Sequence, residues 1–148
     1  MASDRATVCL PIHDRAVSHA FYAALGFPAV GEPGVDGLPE PLQFEVSDGL
    51  RVMLIPAGGF GWVIGGRRRS ARNTHECMVV VGLATAAQVD ELMDRARAAG
   101  GEIVYEAADQ TWGPAGAQVR TPDAYAGAFA DPDGHLWHVT RADGVLFR

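Results

Sequence analysis

Residues 6–26 read ATVCLPIHDRAVSHAFYAALG, and this stretch decides the fold. Ala6–Ile12 is a short apolar run suited to a buried strand, with Pro11 confining its end to an edge or a bend. Asp14 is an N-cap: its carboxylate can accept a backbone N–H of the first helical turn. Val17, Phe21 and Leu25 then recur at helical spacing, with Ala20 and Ala24 completing an apolar stripe. Gly26 ends the helix as a residue free to take a positive φ. Strand, cap, amphipathic helix and glycine open an α/β or α+β unit.

The same order returns half a chain later. Cys77–Val81 is a β-rich apolar run and Thr85 an N-cap. The helix AAQVDELMDRARAA that follows buries Val89, Leu92, Met93 and Ala96 and ends at Gly100-Gly101. After each helix come strand signals. In the first half, Pro28–Pro41 holds four prolines and three glycines and reads as a short strand plus a loop. Leu42–Ser47 and Leu50–Ile55 flank the turn Ser47-Asp48-Gly49. In the second half, Glu102–Glu106, Tyr125–Ala130 and His135–Thr140 are strands, the last two joined by the turn Asp131-Pro132-Asp133-Gly134. Pro56–Asn73, rich in glycine and arginine, is the connection. The pattern is β-α-β-β-β twice, a period too long for a solenoid and suited to a duplicated module.

Bulk properties narrow the function. The chain has 148 residues, 48% hydrophobic and 20% charged, the profile of one ordinary globular domain. No stretch is long and apolar enough for a membrane span, and MASDRATV is not a secretory signal, so a cytoplasmic location without a membrane partner is expected. The net charge of −6 argues against a nucleic-acid partner. The one basic cluster, Arg67-Arg68-Arg69 with Arg72, reads as a solvated loop or as a clamp for an anionic substrate. Cys9 and Cys77 are expected to be buried free thiols in a reducing compartment. A nucleophile elbow, a P-loop and a dinucleotide fingerprint are all lacking.

SHAFYAALGF in the first half and FADPDGHLWHV near the end resemble the glyoxalase/bleomycin-resistance proteins, the vicinal oxygen chelate (VOC) superfamily. There, a helix ends in an "FYxxxLGF" pattern, one residue longer than the FYAALGF of this chain, and the last hairpin reads "DPDGxxxEL". The resemblance covers essentially the whole chain. It implies a single α+β VOC domain: module one at about 5–56, a linker at about 57–74 and module two at about 75–142. The two βαβββ modules would form a curved eight-stranded mixed sheet with helices on its convex side. A ligand would sit in the cleft between modules, and homodimers are common among such proteins.

The metal-dependent members draw four ligands from the first and last strands of each module. Carried over residue by residue, these positions fall on Thr7, on Leu54, on His75 or Glu76, and on His138, the eighth residue from Asp131. Threonine is a poor ligand and leucine is none, and Met53 and Ile55 beside Leu54 are no better. His75, Glu76 and His138 are the only candidates left, too few for a complete site, so no cofactor is expected and a divalent metal is the open alternative. His138 alternates with Trp137 and Val139 along its strand, so it faces away from any helix that packs on Trp137.

The expected function is binding of a small apolar or planar molecule, with Thr7, Leu54, Trp62, Trp112 and Tyr125 lining its site. The alternative is an enzyme: a metal-assisted lyase, isomerase or dioxygenase, or a metal-free acid/base catalyst using His138 and Glu76.

Overall fold

A computed structural model describes residues 4–112 and 119–142, and the side chains of residues 111–124 lie outside that description. The chain divides into two units. Unit 1 runs to Thr74 and includes Pro132–Gly134; unit 2 holds His75–Asp131 and the residues from His135 onward.

Unit 1 begins with β1 (Ala6–Ile12) and α1 (Arg15–Ala24), followed by β2 (Leu42–Ser47), β3 (Leu50–Pro56) and α2 (Ala57–Val63). Its sheet has the order β1-β3-β2, with β1 parallel to β3 and β2 antiparallel to it. Asp14 caps α1 as its sequence position suggests, accepting the Val17 N–H at 3.0 Å, and Gly26 follows the helix at φ 89°. The buried face of α1 differs from the expected stripe. Ser18, Phe21, Tyr22 and Leu25 are buried, whereas Val17 is 51% exposed and Ala20 and Ala24 face solvent. Ser18 can occupy the inner face because its hydroxyl is bonded, 3.3 Å from Asp133 Oδ2. Tyr22 packs on Phe44 of β2 with ring centroids 5.5 Å apart, which identifies the sheet face that α1 covers.

That face carries Leu10, Ile12, Leu42, Phe44, Val52 and Leu54, all buried. The opposite face takes the alternate residues, Thr7, Cys9 and Pro11 on β1 and Arg51, Met53 and Ile55 on β3.

Unit 2 contains β4 (Met78–Leu83), α3 (Ala86–Ala98), β5 (Glu102–Trp112), β6 (Val119–Ala130) and β7 (Leu136–Arg141). The sheet order is β4-β7-β6-β5, with β4 parallel to β7 and the other pairs antiparallel. A full capping box starts α3: Thr85 accepts the Gln88 N–H and Gln88 accepts the Thr85 N–H. Val89, Leu92, Met93 and Ala96 are its buried residues, as their spacing predicts.

The expected eight-stranded sheet is corrected to seven strands in two sheets, of three and four strands, among the described residues. The missing strand falls at residues 28–33. Val30 donates to Gln43 O and Glu45 to Pro28 O, but only an isolated bridge, Ala29 to Phe44, results. Pro28 and Pro33 lack N–H donors and Gly31 sits at φ 120°, so a ladder cannot propagate. The linker also differs from a plain connection, because it contains α2.

Candidate functional site

The candidate face of unit 2 follows from the pleat. Val79, Val81, Trp137, Val139 and Phe129 are buried on the side of α3. Phe129 and Trp137 stack there at 6.1 Å. Gly127 keeps this contact tight: a Cβ on it would lie 2.8 Å from Met93 Cε. Residues of the other parity stand on the helix-free face. His138 is flanked there by Val80 on β4 and Ala128 on β6, its register partners. Ala126 and Ala130 lie on the same side of β6, so small side chains border the imidazole.

Across this face Tyr105 of β5 reaches His138, with its hydroxyl 2.5 Å from Nδ1. Register shifts along β5 put Tyr105 opposite Ala128. The Gln110 side-chain amide holds the irregular segment by donating to Glu106 O and Ala126 O, at 3.1 and 2.8 Å. His138 is 1% exposed, and burial pushes its imidazole pKa down. Burial also pushes the Tyr105 phenol pKa up. Both groups are therefore neutral near pH 7. A phenol is the stronger proton donor and a bare imidazole nitrogen the stronger acceptor, so the O–H donates to Nδ1 and the ring carries its proton on Nε2. A neutral imidazole so oriented has Nε2–H as its remaining hydrogen-bond donor.

The other sequence candidates are scattered. Glu76 and His75 precede β4, exposed and outside the strand, and Glu76 makes no hydrogen bond or ion pair among the described residues. His138 is paired with Tyr105 instead. Leu54 is fully buried under α1, on the opposite face of its sheet from Thr7, so these two cannot line one surface. The β3 residues sharing the Thr7 face are Arg51, Met53 and Ile55. Tyr125 has the parity of Gly127 and Phe129, toward α3, and its hydroxyl donates to Asp90 of that helix. This bond pushes the phenol up to about 12. Trp62, on α2, is 90% exposed. Trp112 ends β5, and its side chain lies outside the described residues. The two thiols are free but not buried: Cys9 is half-buried and Cys77 exposed.

Asp131-Pro132-Asp133-Gly134 does more than turn the chain. Asp131 closes the turn by accepting the His135 N–H at 2.9 Å. Asp133 belongs to unit 1, where it accepts the His13 N–H at 2.8 Å just before α1. Arg72 donates to Pro132 O at 2.9 Å.

The divalent metal that the resemblance implies takes three or four nitrogen, oxygen or thiolate ligands, and each unit's helix-free face is compared with that need by itself. The helix-free face of unit 1 carries Thr7, Cys9, Gln43, Glu45, Arg51 and Met53, and that of unit 2 carries Met78, Val80, His138 and Thr140. Glu45, the carboxylate on the unit 1 face, is paired with Arg51 at 3.9 Å, and His138 is the imidazole on the unit 2 face. Among the described residues no three His, Cys, Asp or Glu side chains cluster.

Residues 6–139 match the family model of the Glyoxalase/Bleomycin resistance protein/Dioxygenase superfamily. Among solved structures, a hypothetical protein from S. aureus aligns over 95% of both chains with TM-score 0.69 and 25% identity. A glyoxalase-related enzyme from Fulvimarina pelagi covers 92% of this chain and 86% of its own, with TM-score 0.68 and 23% identity. TioX from Micromonospora sp. ML1 covers 94% and 98%, with TM-score 0.62 and 24% identity. No curated protein matches the chain. Tyr105 is the residue the sequence did not single out; its only signal was a tyrosine inside a strand, with nothing to say which residue it meets.

Proposed function

Because the chain belongs to the Glyoxalase/Bleomycin resistance protein/Dioxygenase superfamily, we propose that it binds a small organic molecule, apolar or planar, without a complete metal site. One observation carries this reading. The residue at the position where relatives have a carboxylate ligand is His138, and its Nδ1 is engaged by the Tyr105 phenol rather than turned toward a set of ligands. The alanines of β6 beside it supply the apolar surroundings a planar ligand needs. The cytoplasm is the compartment this reading favours, with Cys9 and Cys77 both free thiols.

A second reading keeps catalysis without a metal. Its acid/base residue is His138, with Tyr105 in the role first given to Glu76, and the observation favouring it is the same hydrogen bond. In that case His138 would give its Nε2 proton to substrate while Nδ1 takes the Tyr105 phenol proton, leaving a phenolate that recovers its proton from water.

The test has two parts. Metal analysis of protein prepared without chelators should find well below one ion per chain, and calorimetric titration with Zn²⁺, Ni²⁺ and Mn²⁺ should give no tight site. Titration with anilinonaphthalene sulfonate, a planar apolar probe, should give saturable fluorescence that His138→Ala weakens. Stoichiometric metal, lost in His138→Ala, overturns the proposal.

A further inference from the structure

We propose that the helix-free face of unit 1 is a binding site for a small carboxylate, with Arg51 as the group that holds it. The site lies within one sheet and does not depend on the His138 reading.

β3 is the middle strand of its sheet, and Arg51 stands on it between two register partners, Thr7 of β1 and Glu45 of β2. A cation at the centre of a sheet face is costly unless its N–H groups are bonded. Arg15, Arg95 and Arg97 meet that need, each donating to a carboxylate, at 2.8, 2.5 and 2.8 Å. Arg51 does not. Its side chain is 21% exposed, and its nitrogen nearest Glu45 lies 3.9 Å from the carboxylate, beyond hydrogen-bond length. Its Nε is buried with no hydrogen-bond partner among the described residues. A register shift begins at Glu45, the device by which a strand re-aims a side chain.

The neighbours have the same character. Thr7 is exposed and Gln43 half-buried, and neither side chain makes a hydrogen bond among the described residues. Three donor-bearing side chains thus share one face, and Glu45 is its one carboxylate. A carboxylate ligand supplies what is unmet, because its two oxygens match two parallel N–H groups of a guanidinium. Turning the fork toward the ligand gives Nε the acceptor it lacks and removes the cost of a buried, unbonded donor. Glu45 balances the charge without filling that edge and, 32% exposed, can swing into water as the ligand enters. Its charge opposes a phosphate dianion more than a carboxylate monoanion, which favours the carboxylate.

Titration with benzoate tests the site, followed by calorimetry and through the Arg51 Nε–H resonance in proton–nitrogen correlation spectra. Circular dichroism confirms that each variant is folded. Benzoate should bind saturably and shift that resonance, whereas neutral benzamide and inorganic phosphate should bind far more weakly. Arg51→Lys keeps the charge but loses the planar fork, and should weaken benzoate roughly ten- to hundredfold. Glu45→Gln removes the negative charge beside the bound anion and should tighten it about fivefold. Benzoate that fails to saturate, an affinity unchanged in Arg51→Lys, or an affinity lowered in Glu45→Gln overturns the proposal. Phosphate bound more tightly than benzoate overturns the assignment to a carboxylate.

Discussion

Tyr105→Phe isolates the bond on which the candidate site turns. The substitution keeps the ring and removes one O–H, so packing changes little. What changes is His138: Nδ1 loses the donor 2.5 Å away, in a side chain only 1% exposed, where water is a poor substitute. Deleting one partner of a buried hydrogen bond costs about 1–3 kcal/mol. With a central value of about 2 kcal/mol, a chain of this length should melt roughly 4–8 °C lower. Urea denaturation should show a lower midpoint with an unchanged slope, because the surface exposed on unfolding is the same. A double-mutant cycle with His138→Leu separates the bond from general effects of each change and should return a coupling of about 1–2 kcal/mol. Nitrogen NMR should find His138 protonated on Nε2 in the wild type and a mixture of tautomers in Tyr105→Phe. A coupling below about 0.3 kcal/mol together with an unchanged tautomer would refute the assignment of Tyr105 as the residue that orients His138.

Three further outcomes follow from individual residues. Burial lowers the folded-state pKa of His138, so as pH falls through about 6.5 the unfolded chain takes up a proton that the folded chain resists. Stability should therefore decline from about pH 6.5 down to the folded pKa, by at most about 1.4 kcal/mol per pH unit from this group. Denaturation at a series of pH values should find that part of the slope gone in His138→Gln; an identical slope in both proteins counts against the burial argument. Gly127→Ala should destabilise by about 1–3 kcal/mol, because its methyl would meet Met93 at 2.8 Å and the Ala107 backbone nitrogen at 3.1 Å; thermal melts unchanged from wild type would contradict that packing. Arg15 grips the 28–41 loop through Asp36, Glu40 and Pro39 O, so Arg15→Ala should speed hydrogen exchange there while α1 stays protected. The same hydrogen bond holds Asp36 down to about 2. In the wild type, this tether is present above the ordinary carboxylate range and is lost only as pH falls toward 2, so loop exchange corrected for intrinsic rate should stay flat from pH 7 to about pH 4.

Local chemistry was legible in the sequence wherever a few neighbouring residues decide the structure. Asp14, Gly26 and Thr85 mark helix ends through bonds that span three or four positions, and strand alternation alone placed His138 opposite Trp137. Ser18 on the buried face of α1 could not be read in that way, because its burial depends on Asp133, far along the chain. The same holds for Tyr105 beside His138, and for Leu54 turned away from Thr7, which depends on strand register and on the face that α1 covers. The lost eighth strand came from prolines and a glycine that were visible but whose effect depended on pairing with Phe44. Cap and pleat are set by covalent proximity. Which side chains meet across a sheet is set by registers and bulges, where a shift of one residue reverses every face, and only the folded chain decides them.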